Sequence, residues 1–241
     1  MMWRPRVGLL GGTFDPIHNG HIAAARAAQQ ALALDVVRFI PSARPPHRAG
    51  SPRASEYHRL EMIRVAVADA ATSDDQVRWE VSDLELRRDG LSYTYDTLSA
   101  LHAEGLSALQ IFFIIGADAF SEIATWYRYP EVLDFVNFAV VARPGMTNDM
   151  LRNLLPSLAE RLAGLSQIAQ STEPRVVLID ANTPDVSSTD IRHRAARGES
   201  LTGLVPSPIA AYIAHHLLYR DAPDAPTAPR PFGPPDAPVG K

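Results

Sequence analysis

The fold is decided by one stretch near the N-terminus, VGLLGGTFDPIHNGH, at residues 7–21. The strand-like run Val7–Leu10 leads directly into two glycines, and an Ala-rich segment of helical length follows. Gly11 and Gly12 lack the Cβ atoms that would keep a phosphate away from the backbone. The N-terminus of the following helix adds free N–H groups and a partial positive charge at the same spot. The stretch therefore predicts an anion-binding turn between a strand and a helix.

Two histidines, His18 and His21, are three residues apart at the start of this helix. That spacing places both side chains on one side of the turn, where each can donate a hydrogen bond to the anion. A zinc site would need a third ligand, and the intervening Asn19 and Gly20 do not supply the Glu of an H-E-x-x-H motif. No metal site is therefore predicted. The alternative is that the two histidines only cap and pack the first turn.

Strand-like and helical segments alternate along most of the chain. The predicted strands are Val7–Leu10, Val36–Ile40, Gln110–Ile115, Phe138–Ala142 and Val176–Ile179. The predicted helices are His21–Leu34, Glu56–Ala71, Tyr95–Glu104, Pro130–Val136, Asn148–Ala163 and a closing segment Ile209–Leu218. This alternation predicts an α/β fold with a doubly wound, mostly parallel sheet, helices on both faces, and ligands at the carboxyl ends of the strands.

The composition changes near residue 220. Residues 221–241 contain seven prolines, and Phe232 and Val239 are their only large apolar residues. Such a segment buries too little apolar surface to offset its ordering entropy. We therefore expect one domain over residues 1–220 and a disordered tail over residues 221–241.

Charge and cysteine content exclude several classes of function. The net charge of −4 gives no basic field for a nucleic acid, so phosphate binding must be local. The absence of cysteine excludes disulfides, thiolate catalysis and Cys-ligated metals, and favours a cytoplasmic location. The N-terminal apolar run is too short and Gly-rich for a signal peptide or a membrane span. Homo-oligomer formation is left open.

Residues 11–21, GGTFDPIHNGH, resemble the G-G-T-F-D-P-[IV]-H-x-G-H signature of the nucleotidylyltransferase superfamily. Its members include the pyridine-nucleotide and pantetheine-phosphate adenylyltransferases. Downstream segments are similar, in the expected order, to the bacterial nicotinate-nucleotide adenylyltransferases. These segments are FIPS at 39–42, PPHR at 45–48, SYTYDTL at 92–98, IGAD at 115–118, Trp126, ARPG at 142–145 and SSTDIR at 187–192.

The resemblance implies a Rossmann-like fold and transfer of the adenylyl group of ATP to nicotinate mononucleotide. The products would be pyrophosphate and nicotinate adenine dinucleotide, in NAD biosynthesis, with Mg²⁺ carried by the ATP phosphates. By resemblance, the catalytic residues would be His18, His21 and Arg192. Binding of ATP and its phosphates would involve Gly11, Gly12, Thr13, Phe14, Arg48, Asp118, Ser188 and Thr189. The pyridine mononucleotide would contact Tyr93, Thr94, Trp126 and Tyr127.

Some of these assignments have alternatives. Arg48 stands where the family usually has Lys, which keeps the positive charge but changes its geometry. Trp126 either stacks on the pyridine ring or packs in the core, and Asp118, at the end of its strand, either accepts from a ribose or caps a helix. Arg143 is a weaker candidate for phosphate, and Tyr95 is assigned no role. Two rival functions remain: pantetheine-phosphate adenylyltransferase and a non-catalytic nucleotide sensor.

Overall fold

The structure, a computed structural model, describes residues 5–46, 51–73, 78–142 and 146–220. The strands are β1 Val7–Gly12, β2 Val36–Pro41, β3 Trp79–Val81, β4 Ile111–Gly116, β5 Asn137–Ala142, β6 Leu162–Ala163 and β7 Val176–Asp180. They form one sheet in the order β3-β2-β1-β4-β5-β7-β6, in which every neighbouring pair is parallel. The expected doubly wound α/β sheet is confirmed.

Helices connect these strands. The α-helices are α1 Asn19–Leu32, α2 Glu56–Ser73, α3 Thr94–Ala103, α4 Ala117–Phe120, α5 Asn148–Leu154, α6 Leu165–Ile168, α7 Ser188–Ala196 and α8 Ser207–His215. Short 3₁₀ helices cover Ile123–Thr125, Glu131–Asp134 and Pro156–Arg161.

The sheet separates two hydrophobic clusters, one on each face. Along β4, Phe112 and Ile114 contribute to one cluster, whereas Ile111, Phe113 and Ile115 contribute to the other. This alternation follows from the two-residue period of a strand, and burial on both faces explains why the strand is apolar throughout. The first cluster includes residues of α1, α2, α7 and α8, and the second includes residues of α3, α4 and α5.

The order of the strands places the ligand site. β1 pairs with β2 on one side and with β4 on the other, so the chain winds in opposite directions away from β1. The connections that leave the carboxyl ends of β1 and β4 therefore run to opposite faces and leave a crevice between them. In open α/β sheets this switch point is where ligands bind.

Three helix predictions and two missed strands need correction. The helix expected over Asn148–Ala163 is wrong, because α5 ends at Leu154 and a 3₁₀ helix and β6 follow. Pro156 accounts for the break, since proline lacks an N–H donor and disfavours helical backbone in the residue before it.

The segment Pro130–Val136 forms only the 3₁₀ helix Glu131–Asp134, and the closing helix ends at His215 rather than at Leu218. The strands β3 and β6, of three and two residues, are too short for their apolar pattern to be recognised. The expected tail, residues 221–241, lies outside the described residues.

Candidate active site

A cavity of about 820 Å³ opens at the carboxyl ends of β1 and β4. Twelve of the predicted site residues line it, and they come from segments far apart in the sequence. They are Gly11, Gly12, Thr13, His18, His21, Tyr93, Thr94, Asp118, Trp126, Tyr127, Ser188 and Thr189. The structure thus brings the candidate phosphate and pyridine residues to one cavity, although their individual contacts with ligands remain predictions.

Asp15 anchors the loop that connects β1 to α1. Its carboxylate is 2% exposed and accepts hydrogen bonds from the Arg53 amide at 2.8 Å and the Ala54 amide at 3.0 Å. The Tyr219 hydroxyl donates a third, at 2.9 Å. Burial, followed by the neighbouring Asp15 charge, raises the pKa of Tyr219, so this hydroxyl keeps its proton. Three donors offset the cost of burying the carboxylate and fix the loop to two other parts of the chain.

Arg59 also stabilises the loop that follows β1, through a hydrogen bond to its backbone. This α2 residue is fully buried, and its Nη1 donates to the backbone oxygens of Thr13 at 2.7 Å and Ser42 at 2.8 Å. Thr13 follows β1 and Ser42 follows β2, so one guanidinium joins the ends of two neighbouring strands. The pairing of these carbonyls with a cation holds the floor of the cavity in one conformation.

His18 and His21 stack on each other at the start of α1. Their ring centroids are 3.7 Å apart with an interplanar angle of 23°, and His18 occupies the N-cap position. The His21 Nδ1 accepts from the His18 amide at 3.3 Å. This bond requires His21 to carry a ring proton, when neutral, on Nε2. The histidines therefore do cap and pack the turn, and they also line the cavity, so the two interpretations are compatible.

The His18 ring is buried without a complete set of partners. It is 8% exposed, and its Nδ1 has no hydrogen bond partner among the described residues. Burial lowers the pKa of His18 to about 4, so the ring is neutral at pH 7 in the ligand-free protein. An unsatisfied buried polar atom costs about 1 to 3 kcal/mol, and such a cost is commonly found where a ligand supplies the missing partner.

Packing favours glycine at several positions of the loop, in addition to the predicted approach of a ligand. A Cβ on Gly20 would lie 3.0 Å from two atoms of the His18 ring, and a Cβ on Gly12 would lie 3.2 Å from Phe14 Cζ. A Cβ on Gly11 would lie 3.3 Å from Phe113 Cζ. Each distance is shorter than an ordinary van der Waals contact. Gly11 and Gly12 therefore leave room for neighbouring aromatic side chains, in addition to the predicted approach of a phosphate.

Helix α7 begins at the opposite side of the cavity. The Ser187 hydroxyl caps it by accepting from the Asp190 amide at 3.1 Å, and the Ser188 hydroxyl donates to the Pro16 carbonyl at 3.0 Å. Arg192 donates to the Asp15 carbonyl at 2.7 Å and to Thr189 Oγ1 at 3.1 Å. These bonds tie the start of α7 to the loop after β1. The N-termini of α1 and α7 thus both face the cavity and make it attractive to anions.

Two predicted residues within the described ranges, Arg192 and Phe14, do not line the cavity. Arg192 lies behind Thr189, and its two hydrogen bonds use two of its five N–H donors. The Phe14 side chain is 1% exposed and packs on Phe39 and His21. The Phe14 side chain therefore packs in the core, and the contact of this residue with ATP stays a prediction that concerns its backbone. Arg48, like the weaker candidate Arg143, lies outside the described residues.

Aromatic side chains form the other end of the cavity. The rings of Tyr93 and Tyr127 lie 4.4 Å apart, and Trp126 meets Phe113 edge-on at 5.8 Å. Trp126 is half-buried, so it packs against the core and presents surface to the cavity at once. Both interpretations of this tryptophan are therefore compatible with its position. A flat apolar wall of this kind suits a planar, electron-poor ring.

Helix α3 begins at this end, with Tyr93 at the N-cap and Thr94 as its first residue. The Tyr93 side chain makes no capping hydrogen bond. The first-turn amides of α3 therefore depend on another partner, and they lie beside two cavity-lining residues.

Asp118 lines the cavity from α4 rather than from the end of a strand. Gly116 occupies the N-cap position of α4, so Asp118 is not the helix cap either. The exposed Asp118 carboxylate faces the cavity, and its proposed bond to a ribose hydroxyl stays a prediction.

Sequence reasoning missed the residues that hold the site together. Asp15 and Ser92 lie inside quoted motifs but were assigned no role, and nothing in the local pattern singles out Arg59, Glu85 or Tyr219. Their importance depends on contacts between segments far apart in the sequence, which a single sequence does not reveal.

Within the described ranges, no group of three or more His, Cys, Asp or Glu side chains is arranged to hold a metal ion. None of the helices in those ranges is long and apolar enough to cross a membrane.

Comparisons with known proteins agree with this geometry. The cytidylyltransferase-like family model matches residues 9–194. A relative from Roseiflexus sp., named "Probable nicotinate-nucleotide adenylyltransferase", is 41% identical over 214 residues, covering 89% of this chain and 98% of the relative. A relative of the same name from Symbiobacterium thermophilum is 42% identical, covering 89% and 95% of the two chains.

A solved structure shares the fold. The nicotinic acid mononucleotide adenylyltransferase of Plasmodium falciparum, complexed with NaAD, superposes with a TM-score of 0.66 at 14% sequence identity. The match covers 90% of this chain and 98% of the solved one. At this level of identity the similarity supports the fold.

Proposed function

This chain belongs to the nicotinate-nucleotide adenylyltransferase family, and we propose that it transfers the adenylyl group of ATP to nicotinate mononucleotide. One observation carries the residue assignments that follow. The N-termini of α1 and α7 meet at a cavity lined by the mostly buried His18, whose Nδ1 has no hydrogen bond partner within the described ranges, and an aromatic end lies opposite. Such a cavity has separate places for phosphates and for a planar ring.

In the proposed reaction, a 5′-phosphate oxygen of the mononucleotide attacks the α-phosphorus of ATP. The new P–O bond forms as the bond to the β-phosphate breaks, and pyrophosphate leaves. No protein nucleophile is needed, so catalysis consists of positioning and of stabilising the charge on the phosphoryl oxygens.

The residues at the phosphate end are proposed to act as hydrogen bond donors. His18 and His21 donate to phosphoryl oxygens, and the approach of an anion favours the protonated form of His18 that burial otherwise disfavours. The start of α7, with Ser188 and Thr189, binds the departing pyrophosphate. Arg192, which is hydrogen-bonded to Thr189, neutralises the pyrophosphate through N–H groups that its bonds to the Asp15 carbonyl and to Thr189 do not use.

Magnesium is proposed to arrive on the ATP phosphates. This fits the described residues, which hold no cluster of metal ligands, and hard divalent cations are often bound through substrate phosphates. When bound, the ion would neutralise phosphate charge. The cavity carboxylate of Asp118 is proposed to bind a ribose rather than the ion.

The pyridine end is proposed to bind the substrate by stacking and by its carboxylate. Trp126 supplies the apolar face, with Tyr93 and Tyr127 beside it. The first-turn amides of α3, near Thr94, donate to the carboxylate, which the helix dipole also favours.

The test is direct: purified protein is mixed with ATP, Mg²⁺ and nicotinate mononucleotide, and pyrophosphate and the dinucleotide are measured together. Equal molar release of both products is expected. Pyrophosphate without dinucleotide would show hydrolysis of ATP and would overturn the proposal. A protein that binds both substrates and releases neither product would instead be a nucleotide sensor.

The alternative function, pantetheine-phosphate adenylyltransferase, is less well supported. The relatives carry the pyridine-nucleotide name, and an aromatic wall has no evident use for a flexible pantetheine chain. The same assay with 4′-phosphopantetheine as the acceptor distinguishes the two.

A further inference from the structure

Glu85 is a buried acidic residue in the wall of the cavity. It lies in the turn that follows β3, its side chain is 8% exposed, and it lines the cavity beside Thr94 and Thr97. The phosphate chemistry proposed above gives it no role. Burial raises the pKa of the Glu85 carboxyl, so keeping this group inside the protein costs free energy that its contacts must offset.

One hydroxyl group donates to the Glu85 carboxyl, and a second hydroxyl lies near it. The Thr97 hydroxyl donates to Oε1 at 2.6 Å, and the nearby Ser92 side chain favours the ionised carboxylate. The Ser92 oxygen itself accepts from the amides of Ala43 at 2.9 Å and Arg44 at 3.2 Å. Because these two amides donate to the Ser92 oxygen, the single hydroxyl proton of Ser92 remains available to the Glu85 carboxylate.

Glu85 therefore joins three segments at one point. Thr97 lies in the first turn of α3, Ser92 lies just before that helix, and the amides that hold Ser92 belong to the loop after β2. A second bond, from the Ser92 amide to the Arg44 carbonyl at 2.9 Å, fixes the same junction. The segment between Ser92 and Thr97 contains the start of α3, so its orientation depends on both ends of this arrangement.

The charges around Glu85 have opposing effects. Arg88 favours the ionised carboxylate and Asp96 disfavours it, while the two hydroxyl groups favour it. Arg88 also reaches Thr97 Oγ1 at 3.4 Å. The carboxyl group is thus held by a hydroxyl hydrogen bond within a mixed electrostatic environment, a combination suited to fixing the positions of the hydroxyl groups around it.

We propose that Glu85 is a positioning residue: through Ser92 and Thr97 it sets the first-turn amides of α3 in the place where they receive the carboxylate of the pyridine substrate. This inference rests on the proposed function, because it deepens the assignment of the pyridine end. Glu85 touches the neighbouring hydroxyls and acts on the substrate through them.

The test compares Glu85→Gln and Glu85→Ala with Glu80→Gln, which removes an exposed acidic residue of β3 that pairs with Arg38. Glu85→Ala is expected to raise KM for nicotinate mononucleotide by about tenfold or more and to leave KM for ATP within about twofold, because only the pyridine end loses its support. Glu85→Gln keeps one acceptor oxygen but sets an NH₂ group against the other donor, so its KM is expected to fall between those of wild type and Glu85→Ala. Glu80→Gln is expected to behave as wild type.

A second variant covers the case in which Glu85→Ala does not fold. Thr97→Val keeps the shape of the side chain and removes the hydroxyl that donates to Glu85. It is expected to raise KM for the mononucleotide in the same direction, with KM for ATP unchanged. Melting temperature is measured for every variant, so that loss of folded protein is not mistaken for loss of affinity.

The inference is overturned if the Glu85 and Thr97 variants keep wild-type KM values, or if KM for both substrates and kcat change together. Calorimetric binding of nicotinate mononucleotide in the absence of ATP separates this outcome from failure of the proposed function. A wild-type chain that binds the mononucleotide without turnover contradicts the proposed function, while the affinities of the variants still decide the role of Glu85.

Discussion

Replacing His18 by Gln should change how the stability of the ligand-free protein depends on pH. The His18 pKa is about 4 in the folded protein, against the ordinary value of 6.5 that applies when the chain is unfolded. Between these values the unfolded state binds more protons, so the free energy of unfolding rises with pH. The contribution is present above pH 6.5 and is lost as the pH falls towards 4.

The magnitude follows from the shift. One pKa unit corresponds to about 1.4 kcal/mol, so the full contribution of His18 is about 3 kcal/mol, of which about 2 kcal/mol is lost between pH 7 and pH 5. His18→Gln removes the titrating ring. Relative to wild type, the variant should therefore be more stable at pH 5 than at pH 7 by about 2 kcal/mol. Glu85, whose pKa is raised by burial, makes the free energy of unfolding fall as the pH rises. Because Glu85 is present in both proteins, this effect cancels from the difference between them.

The assay is urea unfolding of both proteins at the two pH values, in buffers without phosphate or sulfate, because an anion in the cavity would favour the charged ring. Equal m-values would show that the two proteins expose the same surface on unfolding. If the stability difference between wild type and His18→Gln is the same at pH 7 and pH 5 within about 0.5 kcal/mol, His18 is not a buried neutral ring and the reasoning fails.

Three further predictions concern catalysis and the C-terminal part of the chain. His18→Ala and His21→Ala should each lower kcat by about 10² or more with folding retained, because each removes a preorganised donor; near-normal kcat in steady-state assays would make that histidine structural. Tyr219→Phe should lower the free energy of unfolding by about 2 kcal/mol by removing one donor to the buried Asp15, measured by urea unfolding; an unchanged value would mean that the carboxylate finds another partner. Deletion of residues 222–241 should leave kcat and Tm almost unchanged, because their composition offers little apolar surface for docking; a large loss would show that the segment binds the domain.

The glycine-rich stretch predicts the fold because its information is local. Strand, turn and helix follow one another within residues 7–21, and the alternating pattern downstream repeats the same unit, so five of the seven strands could be located. The short β3 and β6 depend on pairing with longer neighbours rather than on their own pattern. The break after Leu154 could have been inferred from Pro156, but the helical length of the stretch Asn148–Ala163 favours a single segment.

The candidate site likewise contains residues that the sequence could predict and residues that it could not. Residues in contiguous motifs, such as His18, Thr94 and Ser188, could be proposed from the sequence and do line one cavity. Arg59 and Glu85 could not, because each acts by joining segments that only the fold brings together. A sequence pattern identifies the groups that face a ligand better than those that hold them in place.

The pyridine end of the cavity leads to a specific prediction, a preference for the acid over the amide. If two or more first-turn amides of α3 converge on the substrate carboxylate, both of its oxygens accept and its charge strengthens the bonds. The amide analogue sets an NH₂ group against an N–H donor, which costs about 1 to 3 kcal/mol and also forfeits the charge-assisted part. Together these effects imply a preference for the acid of at least about 10².

The choice of acceptor is measured as kcat/KM for nicotinate mononucleotide, for its amide and for 4′-phosphopantetheine, at matched ATP and Mg²⁺. We expect kcat/KM for the acid to exceed that for the amide by at least about 100-fold, and we expect no measurable turnover of the pantetheine substrate. A ratio of acid to amide within about tenfold of unity would show that the pocket also presents an acceptor to the amide, and the enzyme would then use both pyridine nucleotides. Efficient turnover of 4′-phosphopantetheine would contradict the assignment itself.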